Sequence, residues 1–393
     1  MTKNIKSPAI NLIQNQTDLD VYLDSIKDAP FIAVDTEFLR DRTYYPELCL
    51  VQICDDKEQC AAIDPLAKGI SLDGLVTFLN NPNQLKVLHS GRQDLEIFYE
   101  LTGKVLHPVF DTQIAATVVG MGESVAYKTL VMKYCHVEVD KAHQFTDWSR
   151  RPLNNSQLAY AISDVTYLVD IYRALVKELD KKGRTRWIDD EMANLLNPAQ
   201  YDINPQSAWE RVKMRSHKGR DLVVLRALAA WREDRAKQQN VPRGRVLKDE
   251  AMVEIAMTHP KDQKALGDIR FFSEKRAFSE EGREILALMR EAEQSPRETW
   301  PEKAARVPLS SEESAAIEML KMLLRIASSE NYVSARMIAG TDDLETLVKQ
   351  GDKADILALT GWRHEVFGKE ALDLMAGRLA LSLKNGQIVR HPV

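Results

Sequence analysis

The pattern of apolar and polar positions changes character about halfway along the chain. FIAVDTEF, residues 31–38, is an apolar run of strand formers that ends in acids. ELCLVQIC, residues 47–54, alternates with the period of two expected of a half-buried strand. QCAAID (59–64), KVLH (86–89) and PVFDT (108–112) read as three shorter strands. Helical periods lie around them: a short one from Asp18 to Ile26, then DLEIFYEL (94–101), TQIAATVV (112–119) and the strongly periodic NNSQLAYAISDVTYLVDIYRAL (154–175). The three early strands are too close together to admit helices and should form a meander. The later two join through helical crossovers, so residues 1–195 are expected to be an α/β domain with a mixed central sheet.

Beyond that point the strand pattern stops. Residues 196–207 are rich in Pro and Asn and read as a linker. Residues 208–292 and 309–385 read as two small all-helical domains, separated by a second linker at 293–308 and followed by a polar tail. Each opens with a long apolar-periodic helix, LVVLRALAAWREDRAKQQNVP (222–242) in one and AAIEMLKMLLRIASSENYVS (315–334) in the other. Each continues with an acid-containing helix, DEAMVEIAMTHP (249–260) and TDDLETLVKQ (341–350). The shared order of elements predicts a diverged tandem repeat.

Composition narrows the class. A chain of 393 residues exceeds one ordinary core, and 44% hydrophobic with 28% charged residues fits a folded globular protein. No run approaches a membrane span, and the start MTKNIKSPAI lacks the apolar core of a signal peptide. Cys49, Cys54, Cys60 and Cys135 show no CxxC pairing, and the expectation is four reduced thiols in a cytoplasmic protein. The formal net charge of −5 hides an asymmetry. Trp209 to Lys248 carries 12 Lys and Arg against 4 Asp and Glu. Local potential, not total charge, decides whether a polyanion binds.

The candidate chemistry sits in the first half. Asp35 and Glu37 are two apart on a strand and so share a face. An acid pair on an apolar strand is costly unless something satisfies it, and a hard divalent cation does so. Asp94 opens a helix, where it could equally serve as a cap. Asp164 falls among the apolar positions of the 154–175 helix, with Tyr160 one turn earlier on the same face. Brought together, these groups could hold two divalent ions that activate water and offset charge on an attacked phosphate, with Tyr160 orienting the water or helping to deprotonate it.

VDTEF (34–38), HSGRQDLEIF (89–98) and YAISD (160–164) resemble the three motifs of the DEDD superfamily of 3'-5' exonucleases, in its tyrosine-containing subgroup. PVFDTQIAA (108–116) and WSRRPLNNSQLAYAISDVTYL (148–168) extend the resemblance to the bacterial ribonuclease D family, and WREDRAKQQNVPRGRVL (231–247) resembles an HRDC domain. The third segment matches an HRDC domain more loosely. The resemblance implies a ribonuclease H-like fold, hydrolysis of RNA from its 3' end to nucleoside 5'-monophosphates, and two Mg2+ or Mn2+ ions. It implies that Asp35 bridges both metals, Glu37 and Asp164 complete the water-activating site, Asp94 serves the second metal, and Tyr160 positions the nucleophile. The implied substrates are transfer RNA precursors and other small structured RNAs. No membrane and no obligate protein partner is implied. A 3'-5' DNA exonuclease shares the metal chemistry, and a non-catalytic RNA-binding scaffold is the alternative from another class.

Other residues carry weaker signals. His89 is expected to order the site rather than touch substrate, Lys128 to contact a phosphate or stay solvated, and Asp111 to cap a helix rather than add a fifth acid. His136, His143 and His217 lack ligand spacing, and GMGES (120–124) reads as a turn. In the basic stretch, Arg211, Lys213, Arg215, Lys218 and Arg220 form one candidate cluster for the RNA backbone, and Arg243, Arg245 and Lys248 another.

Overall fold

A computed structural model describes residues 11–139, 146–202, 204–216, 218–302 and 308–393. His143 and His217 lie outside the described residues. The chain divides into two compact units, one of residues 1–37, 50–197 and 308–393, the other of 38–49 and 198–307.

The first unit begins with β1 (Leu12–Ile13), α1 (Gln16–Ile26), β2 (Phe31–Leu39), β3 (Glu47–Asp55) and β4 (Cys60–Ile63). It continues through α2 (Asp73–Leu79), β5 (Leu85–Leu88), α3 (Arg92–Thr102), β6 (Val109–Asp111), α4 (Thr112–Val118), α5 (Tyr127–Cys135), α6 (Asn155–Lys181) and α7 (Thr185–Leu195). The strands form one sheet in the order β1-β4-β3-β2-β5-β6. The pair β3–β4 is antiparallel, whereas β5 runs parallel to β2 and to β6. This is the expected mixed sheet with one strand more. β1, two residues long, adds to the β4 edge in parallel. Two residues are too few to show a period, so the pattern of the sequence does not reveal it.

The expectation of four reduced thiols fails at one pair, because Cys54 and Cys60 are joined by a disulfide. The β3–β4 register sets the two directly opposite each other, which a search for CxxC spacing does not detect. Cys49 and Cys135 take no part in a disulfide.

α6 carries the periodicity through 27 residues. Asn154 and Gln157 close a capping box at its start, which satisfies amide groups that would otherwise be orphaned. Its apolar face, including Leu158, Ile162, Val165 and Leu168, is buried. At roughly 1.5–3 kcal/mol for each large apolar side chain, that burial fixes the helix's rotation, and with it the direction of Tyr160 and Asp164.

The second unit holds α8 (Gly219–Gln239), α9 (Arg243–Val246), α10 (Asp249–Thr258), α11 (Gln263–Gly267), α12 (Glu274–Ala277) and α13 (Glu280–Gln294). Back in the first unit come α14 (Ser311–Asn331), α15 (Ala335–Ile338) and α16 (Thr341–Gln350). α14 to α16 repeat α8 to α10 with identical lengths and a constant offset of 92 residues: Gly219 to Ser311, Arg243 to Ala335, Asp249 to Thr341. Even the left-handed C-cap recurs, at Asn240 and at Tyr332.

The chain then closes on a hairpin, β7 (Leu379–Lys384) and β8 (Gln387–Pro392), where the sequence pattern predicts a polar tail. Its signal is an Asn385–Gly386 pair between alternating flanks. Both residues take positive φ, 53° and 78°, as such a turn requires.

Candidate active site

β2 carries Asp35 and Glu37 on one face, and α6 brings Asp164 to them. One carboxylate oxygen from each of the three lies within 4.8 Å of the others. Asp94 is not one of this trio. It sits on the first turn of α3, 6% exposed, and accepts a hydrogen bond from the Thr36 hydroxyl. The cap position of α3 belongs to Gly91, so Asp94 does not fill the capping role that its place in the sequence suggests. Tyr160 stands one turn before Asp164 on α6 and its hydroxyl is hydrogen-bonded to that carboxylate.

The electrostatics are those of like charges crowded in a poorly solvated place. Burial, then the charges of Asp94, Asp164 and Glu37, hold the Asp35 carboxyl well above the usual range. Burial and the neighbouring acids push Glu37 up to about 9. Burial raises Asp164 to about 7 despite the Tyr160 hydrogen bond, and Asp94 to about 6 despite the bond from Thr36. A divalent cation among these carboxylates would offset the crowding of like charge. The hard oxygen donors fit Mg2+ or Mn2+ and not a thiophilic metal.

A cleft of about 290 Å³ opens over Asp35, Glu37 and Asp164, lined also by Thr36, His89, Tyr127 and Lys128. His89 therefore reaches the site. Its Nδ1 lies 3.0 Å from the Thr112 hydroxyl, and burial lowers its pKa against the pull of Asp111. Lys128 is exposed and lines the same cleft.

Asp111 does cap a helix, accepting from the Gln113 and Ile114 amides at the start of α4. The same carboxylate also accepts from the Ser90 and Gly91 amides, at 3.1 and 2.8 Å. It thereby fixes the loop between His89 and Asp94. Tyr127 belongs to the site although the sequence pattern does not single it out. Its hydroxyl donates to the Ser163 carbonyl at 2.8 Å, tying α5 to α6 beside Asp164, and its ring lies 5.5 Å from that of His89. Only the tertiary approach of α5 to α6 marks it, so no signal in the sequence could have found it.

The basic candidates all lie in the second unit. Arg211, Lys213, Arg215, Lys218, Arg245 and Lys248 are exposed. Arg220 makes a two-pronged ion pair with Glu293. Arg243 is engaged by Glu233, at 2.6 and 2.7 Å, and by the Tyr44 hydroxyl at 3.0 Å. These two guanidinium groups are already committed within the unit.

Comparison with known proteins follows the same division. A family model for 3'-5' exonucleases matches residues 10–180, and a model for the HRDC domain matches residues 221–289. The protein named ribonuclease D in Sphingobium indicum is 44% identical over 379 residues, 96% of this chain and 97% of that one. The chain belongs to the ribonuclease D family. Ribonuclease D of Zymomonas mobilis is also 44% identical, over 96% of this chain and 97% of its own length. The crystal structure of Escherichia coli RNase D, described as an exoribonuclease involved in structured RNA processing, superposes with a TM-score of 0.82 at 29% identity. It covers 94% of this chain and 99% of that one. As a member of this family, the chain is a 3'-5' exoribonuclease, and the family uses divalent metals. Among the described residues, no helix is long and apolar enough to cross a membrane.

Proposed function

We propose that the chain trims precursors of transfer RNA and other small structured RNAs, removing one nucleoside 5'-monophosphate at a time from the 3' end. The observation that carries this reading is the convergence of Asp35, Glu37 and Asp164 within 4.8 Å, with Asp94 set behind Thr36. Asp35, Glu37, Asp94 and Asp164 would hold two divalent cations, Mg2+ or Mn2+. When bound, such ions supply an activated water and offset the charge that builds on the phosphate.

The remaining work falls to the chain's own groups. Asp35 is central among the acids, raised by all three of the others, which suits it to a shared ligand. The Tyr160 hydroxyl, held by Asp164, is placed to orient the attacking water. Lys128, on the rim of the cleft, is placed to contact a substrate phosphate. Asp111 orders the loop that leads to Asp94, and His89 is held beside it by Thr112. Arg211, Lys213, Arg215, Lys218, Arg245 and Lys248 would hold the body of the RNA through its backbone, without reading its sequence.

The test uses purified protein with Mg2+ on matched RNA and DNA hairpins with 3' tails. RNA tails should shorten stepwise, a 5'-label should be released only at the end, and chelation should stop the reaction. Cutting of a circular RNA would exclude the exonuclease reading, and preference for DNA would exclude the substrate reading.

A further inference from the structure

The strongest unexplained feature lies on the first helical repeat. Phe271 is 46% exposed, while its neighbour Phe272 is buried in that repeat's core. The Phe271 backbone sits at φ 64°, a left-handed conformation that a bulky aromatic residue rarely adopts. The chain thus accepts a conformational cost to turn a large apolar ring outward, and the ring is absent from the packed cluster that would repay it.

Its surroundings say what the ring is for. The Lys248 Nζ and the Arg270 guanidinium each lie 4.7 Å from its centroid, and both residues are exposed. Lys248 also lines a cleft of about 420 Å³ together with Arg211 and Arg232. Arg232 is 5% exposed, pairs with Asp249, and leaves its Nε without a partner among the described residues. Glu233 and Asp249 in the cleft are paired with Arg243 and Arg232, which leaves Arg211 and Lys248 against Glu250, a small positive excess. A half-exposed aromatic ring with cations packed against it, adjoining a cleft lined by Arg211 and Lys248, suits an unpaired nucleotide: the exposed part of the ring stacks on a base and the cations turn to the phosphates on either side. A protein partner would be expected to meet an apolar patch, and here the ring stands among positive charges.

We propose that Phe271 is a base-stacking platform for an unpaired RNA segment, with Lys248 and Arg270 taking the adjacent phosphates and the Arg211–Lys248 cleft the next. This rests on the reading that the first repeat holds RNA, and it adds a subsite that recognises bases as well as charge.

The experiment measures binding by the full-length protein in chelator, so that the probe survives. The probes are a hairpin RNA with an unpaired 3' tail and the same RNA with abasic sugars in the tail, equal in charge. Phe271→Gly removes the ring and suits the backbone, so thermal stability should hold or rise. Affinity for the base-bearing tail should fall roughly 5–100-fold, the range for loss of one stacked base. The salt dependence should keep its slope, and the abasic probe should be bound equally by both proteins. Phe271→Trp should restore affinity. Wild-type affinity in Phe271→Gly, or a clear loss of its thermal stability, overturns the platform. If Arg211→Ala with Lys248→Ala still flattens the salt slope, the parent reading survives that failure. If those variants also bind as wild type, the parent reading falls too.

Discussion

The two helical repeats share a backbone plan and differ in what they face. Residues 219–258 of the first carry 8 Lys and Arg against 6 Asp and Glu, whereas residues 311–350 of the second carry 4 against 7. The second repeat belongs to the same compact unit as the catalytic sheet, and it is attached by specific contacts. Trp362 stacks on Trp187 of α7 with ring centroids 4.4 Å apart. Buried Arg363 pairs with Glu191, and Arg184 donates to the Val118 and Asn331 carbonyls. Gly120, at φ 97°, lets the backbone of Tyr332 approach so closely that a Cβ there would lie 2.6 Å from the Tyr332 carbonyl oxygen. The same helix order thus serves two ends: in one segment it carries an excess of basic residues, and in the other it packs into the unit that holds the site.

That contrast can be broken most sharply in catalysis. Asp35→Asn should lower turnover by at least roughly 100-fold, and Tyr160→Phe by roughly 100-fold, with salt-dependent RNA binding unchanged in both. Single-turnover kinetics beside a salt titration checks this. A Tyr160→Phe enzyme with full turnover would reduce Tyr160 to a packing role.

Stability gives the next largest difference. Trp362→Ala empties a buried stacked position and should cost about 3–5 kcal/mol, seen as early unfolding of the catalytic unit by hydrogen exchange. No such loss is expected for Phe271→Gly in the first repeat. Equal stability of Trp362→Ala and wild type would show that the second repeat does not brace the site.

The two units should also respond to pH in opposite directions. In the metal-free catalytic unit, burial raises Asp94 to about 6 and Asp164 to about 7, and burial with the charges of Asp164 and Asp94 raises Glu37 to about 9. Protons bound there stabilise the fold at low pH, and that contribution is lost as pH rises through those values. In the first repeat, burial is outweighed by hydrogen bonds: Ser216 and His259 lower Asp221, Arg243 and Tyr44 lower Glu233, and Arg220 and His259 lower Glu293. Their contribution is present above the ordinary carboxyl range and lost as pH falls through the lowered values. Hydrogen exchange across pH 3–9 should therefore show the catalytic unit weakening toward alkaline pH and the first repeat toward acid. Mg2+ should remove the alkaline trend, and Glu37→Gln should make it shallower. Parallel trends in the two units would contradict the assignment.

The smallest effect concerns binding. Neutralising Arg211, Lys213 and Arg215 should flatten the salt dependence of RNA affinity by up to about 0.9 in slope for each phosphate that is no longer neutralised. Neutralising Lys321 and Arg325 in the second repeat should leave it unchanged. Equal changes would mean that both copies hold RNA.

Much of this was legible before folding. The strand 31–38, the capping box at Asn154 and the apolar period of α6 are local signals, and they place three of the four acids on definite faces. β1 is too short to carry a period, and the Cys54–Cys60 bond depends on register, so neither could be read. The closing hairpin did announce itself through Asn385–Gly386, and only its position after a helical domain disguised it.

By itself, then, the sequence determined the longer elements, the acid motifs, the basic stretch and the recurring helix order, because each is written in periods and spacings within a few turns of chain. Only the tertiary structure decided that Asp111 fixes the His89–Asp94 loop, that Tyr127 ties α5 to α6, and which repeat braces the catalytic unit. Those depend on residues far apart in the chain meeting across packed surfaces. A local pattern can bury a face, but it does not name the face on the other side.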